Sequence, residues 1–147
     1  MWLRDLLRSF RYAYRGISRT ARTERNLRIH LAAVVYVAAL GFLAELDGPG
    51  WTAVLLCFGL VIAAELVNTA LENLCDAVSP ERNARIGAAK DAAAGAVLAL
   101  AIASVCVAAV VFGPWLLSGG LLDHPWAILA AVASLPLAIL WIRGKKY

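Results

Sequence analysis

Long apolar stretches separated by short polar breaks constrain this chain more than any other feature. Residues 31–46, 51–71, 92–112 and 126–142 carry few charges, and each approaches the roughly 20 residues needed to cross a hydrocarbon core. In lipid a backbone must satisfy its own hydrogen bonds, so runs of this kind are expected as helices. Composition points the same way. The chain is 62% hydrophobic and 16% charged, against roughly 45–50% and 25% in soluble domains, with a mean hydropathy of +0.74. Strand-like alternation does not recur, which excludes an outer-membrane barrel. The expected fold is an all-α integral membrane protein: an N-terminal amphipathic surface helix, three core transmembrane helices and a fourth C-terminal one.

Residues 1–30 hold arginines at 4, 8, 11, 15, 19, 22, 25 and 28, a spacing that keeps them near one helical face. Leu3, Leu6, Leu7, Phe10, Tyr14 and Ile17 mark another. The pattern predicts a helix lying in the membrane interface, with guanidinium groups toward anionic headgroups. A nucleic-acid arm would leave the apolar stripe without a purpose, and no nucleic-acid partner is expected. No cleavable signal sequence is read in this segment.

Glu45, Asp47, Gly48, Pro49 and Gly50 predict a turn between the first two spans. In the polar segment over residues 76–91, Ser79, Pro80 and Glu81 read as a helix cap, first position and early acidic residue. Gly113 and Pro114 are expected to stop the third span. The 14 Lys and Arg residues fall before the first span, in this segment (Arg82, Arg85, Lys90) or at the end. With four spans and the amino terminus inside, every one of them is cytoplasmic, as the positive-inside rule requires. The expected organisation is an interfacial helix over 1–30, a three-helix core over 26–113 and an additional span with a basic tail over 124–147. Cys57, Cys75 and Cys106 form no CxxC pair and read as small buried hydrophobes.

Chemistry concentrates between the second and third spans. Glu65, Asn68, Thr69, Glu72 and Asp76 share one helical face at about 100° per residue. A charge at the bilayer centre costs about 2.5–3.5 kcal/mol even on the lenient insertion scale, so carboxylates there face a cavity, a partner or an ion. Hard oxygen ligands of this kind suit Mg²⁺, which binds one or two carboxylates together with substrate phosphates. Arg82, Arg85 and Lys90 could neutralise phosphate charge during transfer, and Asp91 could orient Lys90 or the metal. Neither GxxxxGK[ST] nor a strand-borne GxGxxG occurs, so a phosphate site here must be built between helices. Asn68 and Thr69 as plain interhelical hydrogen-bonders, and Glu81 with Arg82 or Arg85 as a loop ion pair, are the bland alternatives.

The blocks TERNLRIH, ELVNTALENLCD and AKDAAAGAV, in this order and spacing, resemble the prokaryotic diacylglycerol kinase family over about residues 9–113. The first and last look more like its undecaprenol kinase branch. The resemblance implies a kinase that moves the γ-phosphate of ATP to a membrane lipid alcohol, with Mg²⁺ as cofactor. It implies Glu65 as the catalytic base and Glu24 and Glu72 as metal ligands that also bind nucleotide. Tyr12, Arg15, Glu81, Asn83, Lys90 and Asp91 are implied at the nucleotide, although Asn83 stands where the family's pattern has histidine. Gly16, Asn68, Asp76 and Gly95 are implied to meet substrate or shape the site. The family further implies a homotrimer with shared active sites, facing the cytoplasm from the bacterial inner membrane. His30 falls in a matching block, but reads equally as a helix-end polar residue. The fourth span departs from the three-span family core.

Undecaprenol is the expected acceptor, with diacylglycerol, yielding phosphatidic acid, as the alternative. A reading of another class is a small ion-coupled carrier using Glu65, Glu72 and Asp76 as a relay. A relay should continue across the membrane, however, and apart from Glu45 the other spans offer no ionisable partner at mid-depth. A non-catalytic adaptor would need no such stripe.

Overall fold

The computed structural model describes residues 2–79 and 83–144. These form five helices: α1 (Trp2–Thr23), α2 (Arg25–Leu43), α3 (Gly48–Val78), α4 (Ala84–Leu117) and α5 (Pro125–Arg143). No strand occurs among the described residues. The last four are long and apolar enough to cross a membrane, which makes the chain an all-helical membrane protein. Most large apolar side chains point outward, including Val35, Phe42, Leu55, Val105, Val110 and Leu129, as expected where the surrounding solvent is lipid.

The long pair α3 and α4 forms the spine, with α2 against α3, α5 against α2, and α1 across the ends of α2 and α3. Leu27, Val54, Val61, Val97 and Phe112 make the small buried core. Helix α3 has 31 residues, about 46 Å at 1.5 Å per residue, well beyond a hydrocarbon core of about 30 Å. Its start is fixed by Asp47, whose Oδ1 accepts from the Gly50 amide at 2.8 Å. About 20 residues from that cap the helix reaches Glu65 and Asn68, so the polar stripe begins where the membrane ends.

The chain turns between α2 and α3 by a Schellman motif. The Leu46 amide donates to Gly41 O and the Glu45 amide to Phe42 O, with Glu45 at φ +50° in the position usually taken by glycine. Gly119 serves the same purpose after α4.

Three expectations are corrected. The basic segment is not one helix to residue 30: Glu24, extended at φ −94° and ψ 120°, breaks it, so Arg25 and Arg28 belong to α2. The helix after the polar segment is capped not by Ser79, which ends α3, but by Asn83, whose Oδ1 accepts from the Arg85 amide at 2.9 Å. Gly113 and Pro114 do not stop the third span, which continues to Leu117, because lipid offers a freed backbone no alternative partner.

Candidate active site

The stripe expected on one face of α3 is where the structure buries its polar groups. Glu65 is 2% exposed, and Asn68 and Thr69 are each 7% exposed. Burial of this depth demands partners, and the partners found are few. Asn68 Nδ2 donates to Glu72 Oε1 at 3.0 Å, a bond along one turn that sets the Glu72 carboxylate. Glu65 Oε1 lies 3.5 Å from His30 Nε2 on α2, and it has no hydrogen-bond partner; nor does Asn68 Oδ1. Two buried acceptors, one helical turn apart on α3, thus lack donors among the described residues.

Glu24 comes to the same place from the α1–α2 break. Thr20, one turn before it, lines a groove shared with Thr69 and Asn73 of α3, and the Glu24 side chain makes no capping bond to α2. The α1–α2 break that carries Glu24 thus lies near the stretch of α3 that bears Glu65 and Glu72, with His30 at the apolar border. Among the described residues no group of three or more side chains is arranged to hold a metal by itself. That donor set fits Mg²⁺ carried with a nucleotide, which takes one or two carboxylates and completes its octahedron with phosphate oxygens and water. Glu24 and Glu72 are the residues that could hold it.

Lys90 donates to Asp76 Oδ1 at 2.8 Å, tying the start of α4 to the end of α3. The partner expected to orient Lys90 was Asp91; the structure gives this role to Asp76, fourteen residues away. Asp91 and Tyr12 are exposed and make no hydrogen bond or ion pair among the described residues. Arg15 lines a surface hollow of about 440 Å³ with Arg19 and Arg22. Gly16 lines a groove of about 590 Å³ between α1 and α3, with Thr69 and Asn73 opposite. Asn83 is committed to capping α4. Gly95 is exposed, with nothing within 4 Å of where a side chain would stand, so it shapes no site among the described residues. Glu81 lies outside the described residues.

An apolar cavity of about 280 Å³ runs between α2, α3 and α4, lined by Val34, Val37, Phe58, Ile62 and Val105 among others, with His30 at its polar end. Sequence reasoning left His30 undecided. The signal available for it was a second ionisable side chain at a depth matching Glu65.

The family model for prokaryotic diacylglycerol kinase matches residues 11–112. Undecaprenol kinase of Bacillus subtilis is 42% identical over 112 residues, covering 76% of this chain and 91% of the relative. Diacylglycerol kinase of Synechocystis sp. is 43% identical over 115 residues, covering 78% of this chain and 66% of the relative. No solved structure matches the chain.

Proposed function

Because the chain belongs to the prokaryotic diacylglycerol kinase family and is a lipid kinase, we propose that it transfers the γ-phosphate of ATP to the hydroxyl of undecaprenol. The observation that carries this reading is the orphaned, buried Oε1 of Glu65, 3.5 Å from the His30 that lines the polar end of an apolar cavity. A lipid alcohol entering from the membrane would lay its chain in the cavity between α2, α3 and α4 and present its hydroxyl as the missing donor.

In the reaction, Glu65 accepts the hydroxyl proton as the oxygen attacks the γ-phosphorus and the bond to the β-phosphate oxygen breaks, leaving ADP and the lipid phosphate. His30, 3.5 Å away, stands between the Glu65 carboxylate and the cavity it lines. Glu24 and Glu72 would hold Mg²⁺, which would neutralise phosphate charge, and Asn68 keeps Glu72 aimed. Lys90, anchored by Asp76, and Arg15 meet the phosphates. Catalysis is then mostly positioning and charge stabilisation.

We place this site on the cytoplasmic side of the bacterial inner membrane, where the basic ends of α1 and α5 meet anionic lipid. A homotrimer with shared sites goes with this reading: Tyr12 and Asp91, unpartnered among the described residues, and the open space at Gly95 leave room for a neighbouring subunit. A diacylglycerol acceptor is the second reading, supported by the Synechocystis relative and by the weak discrimination of apolar cavities.

Two substitutions test the division of labour. Glu65→Gln should retain Mg·ATP binding and lose turnover by about 100-fold or more, the scale of general-base catalysis. Glu72→Gln should instead raise the Mg²⁺ requirement. Full turnover by folded Glu65→Gln protein would remove Glu65 as the base.

A further inference from the structure

Helix α5 lies outside the matched family region, residues 11–112, yet it is joined to the most buried Lys or Arg among the described residues. Arg28 is 7% exposed and spends its guanidinium on backbone carbonyls at two helix ends. Nη1 donates to Ala21 O at 3.2 Å and Arg22 O at 2.8 Å, in the last turn of α1. Nε donates to Ile142 O at 3.0 Å, in the last turn of α5. Carbonyls in a last helical turn lack intrahelical donors, so one side chain caps two helices at once. The fit is close. Gly144, at φ +62°, packs on the guanidinium, and a Cβ there would stand 3.1 Å from Nη2.

Between the two carbonyls of α1 and Arg28 itself lies Glu24, the single extended residue of the α1–α2 elbow. Its side chain is not capped, so its direction depends on the angle of that elbow. Arg28 holds the elbow from one side, and the end of α5 holds Arg28 from the other.

We propose that Arg28 and the C-terminal turn of α5 form a clamp that fixes the α1–α2 elbow and so positions Glu24 for the metal-bound nucleotide. Arg28 is a positioning residue, and α5 adds to the family core a strut that reaches the nucleotide site indirectly. This rests on the kinase reading for its consequence, and on the geometry alone for the clamp.

The test uses the full chain in lipid micelles. Gly144→Ala strains a positive-φ backbone and crowds the guanidinium; Gly119→Ala, at φ +85° with nothing within 4 Å, imposes similar strain at the opposite end of the bundle. Arg28→Lys keeps the charge and loses the fork. Gly144→Ala and Arg28→Lys should each raise the KM for Mg·ATP about tenfold, the scale of one charged hydrogen bond, with kcat and the lipid KM nearly unchanged. Gly119→Ala should change none of them, and the double variant should be no worse than Arg28→Lys alone, because both changes break one unit. An unchanged nucleotide KM, a loss shared equally with kcat and the lipid KM, or additive effects would overturn the proposal. If the wild-type protein transfers no phosphate from ATP, the kinase reading fails and amide exchange judges the clamp. Faster exchange over residues 20–28 in Gly144→Ala but not in Gly119→Ala supports it, and equal exchange refutes it.

Discussion

Replacing Asn68 with alanine separates stability from metal binding, because the side chain does opposite things at its two ends. Nδ2 donates to Glu72 Oε1 at 3.0 Å, and a hydrogen bond to a charged group stabilises by about 1.5–3 kcal/mol. Glu72 is only half-buried, so the lower figure applies. Oδ1 is buried without a donor, and such a group costs about 1–3 kcal/mol. Asn68→Ala removes both terms, which nearly cancel, and leaves folding stability within about 1 kcal/mol of wild type. The carboxylate of Glu72, however, loses the group that orients it. Outer partners of metal ligands are worth about 10–100-fold in affinity, so half-saturating Mg²⁺ should rise by at least about tenfold. The assay is phosphate transfer against a Mg²⁺ titration at fixed ATP, with denaturation in mixed micelles run in parallel. A large loss of stability with unchanged Mg²⁺ dependence would refute the reasoning, since it would make Asn68 a packing residue.

Two further substitutions probe the surroundings of the site. His30→Ala, which removes the polar side chain 3.5 Å from Glu65 Oε1, should lower kcat about tenfold, the scale of one polar contact to a charged group, and leave the KM for Mg·ATP unchanged; His30→Gln, which keeps a polar side chain there, should recover part of the loss in the same steady-state assay. Tyr36→Phe removes the 2.8 Å hydrogen bond to Ser134 that joins α2 to α5, and should destabilise the protein by about 0.6 kcal/mol, the average for interhelical bonds in membranes, as read by detergent denaturation.

The four spans and the polar face of α3 were legible in the sequence because both depend on local periodicity. Glu65, Asn68, Glu72 and Asp76 are fixed on one stripe by 3.6 residues per turn, whatever the rest of the chain does. Boundaries were less legible. Asn83 and Ser79 are both good caps, and only the tertiary path selects Asn83. Pro114 breaks helices in water but not in a medium that leaves freed backbone groups without partners. The contacts that close the site were not legible at all. Arg28 reads as one more member of a basic stripe, and nothing local says that its guanidinium reaches Ile142, 114 residues away. The same holds for His30 and Glu65, and for Lys90, whose sequence neighbour Asp91 is passed over in favour of Asp76.

The central claim is that Glu65 receives a lipid hydroxyl while Glu24 and Glu72 hold Mg·ATP. Its most direct test is transfer from γ-labelled ATP by purified protein in mixed micelles, with undecaprenol and diacylglycerol offered separately and Mg²⁺ supplied or chelated. Label should enter undecaprenol in preference to diacylglycerol, only when Mg²⁺ is present, and not in the Glu65→Gln protein. Label in neither lipid, from folded protein with Mg²⁺ present, would contradict the account.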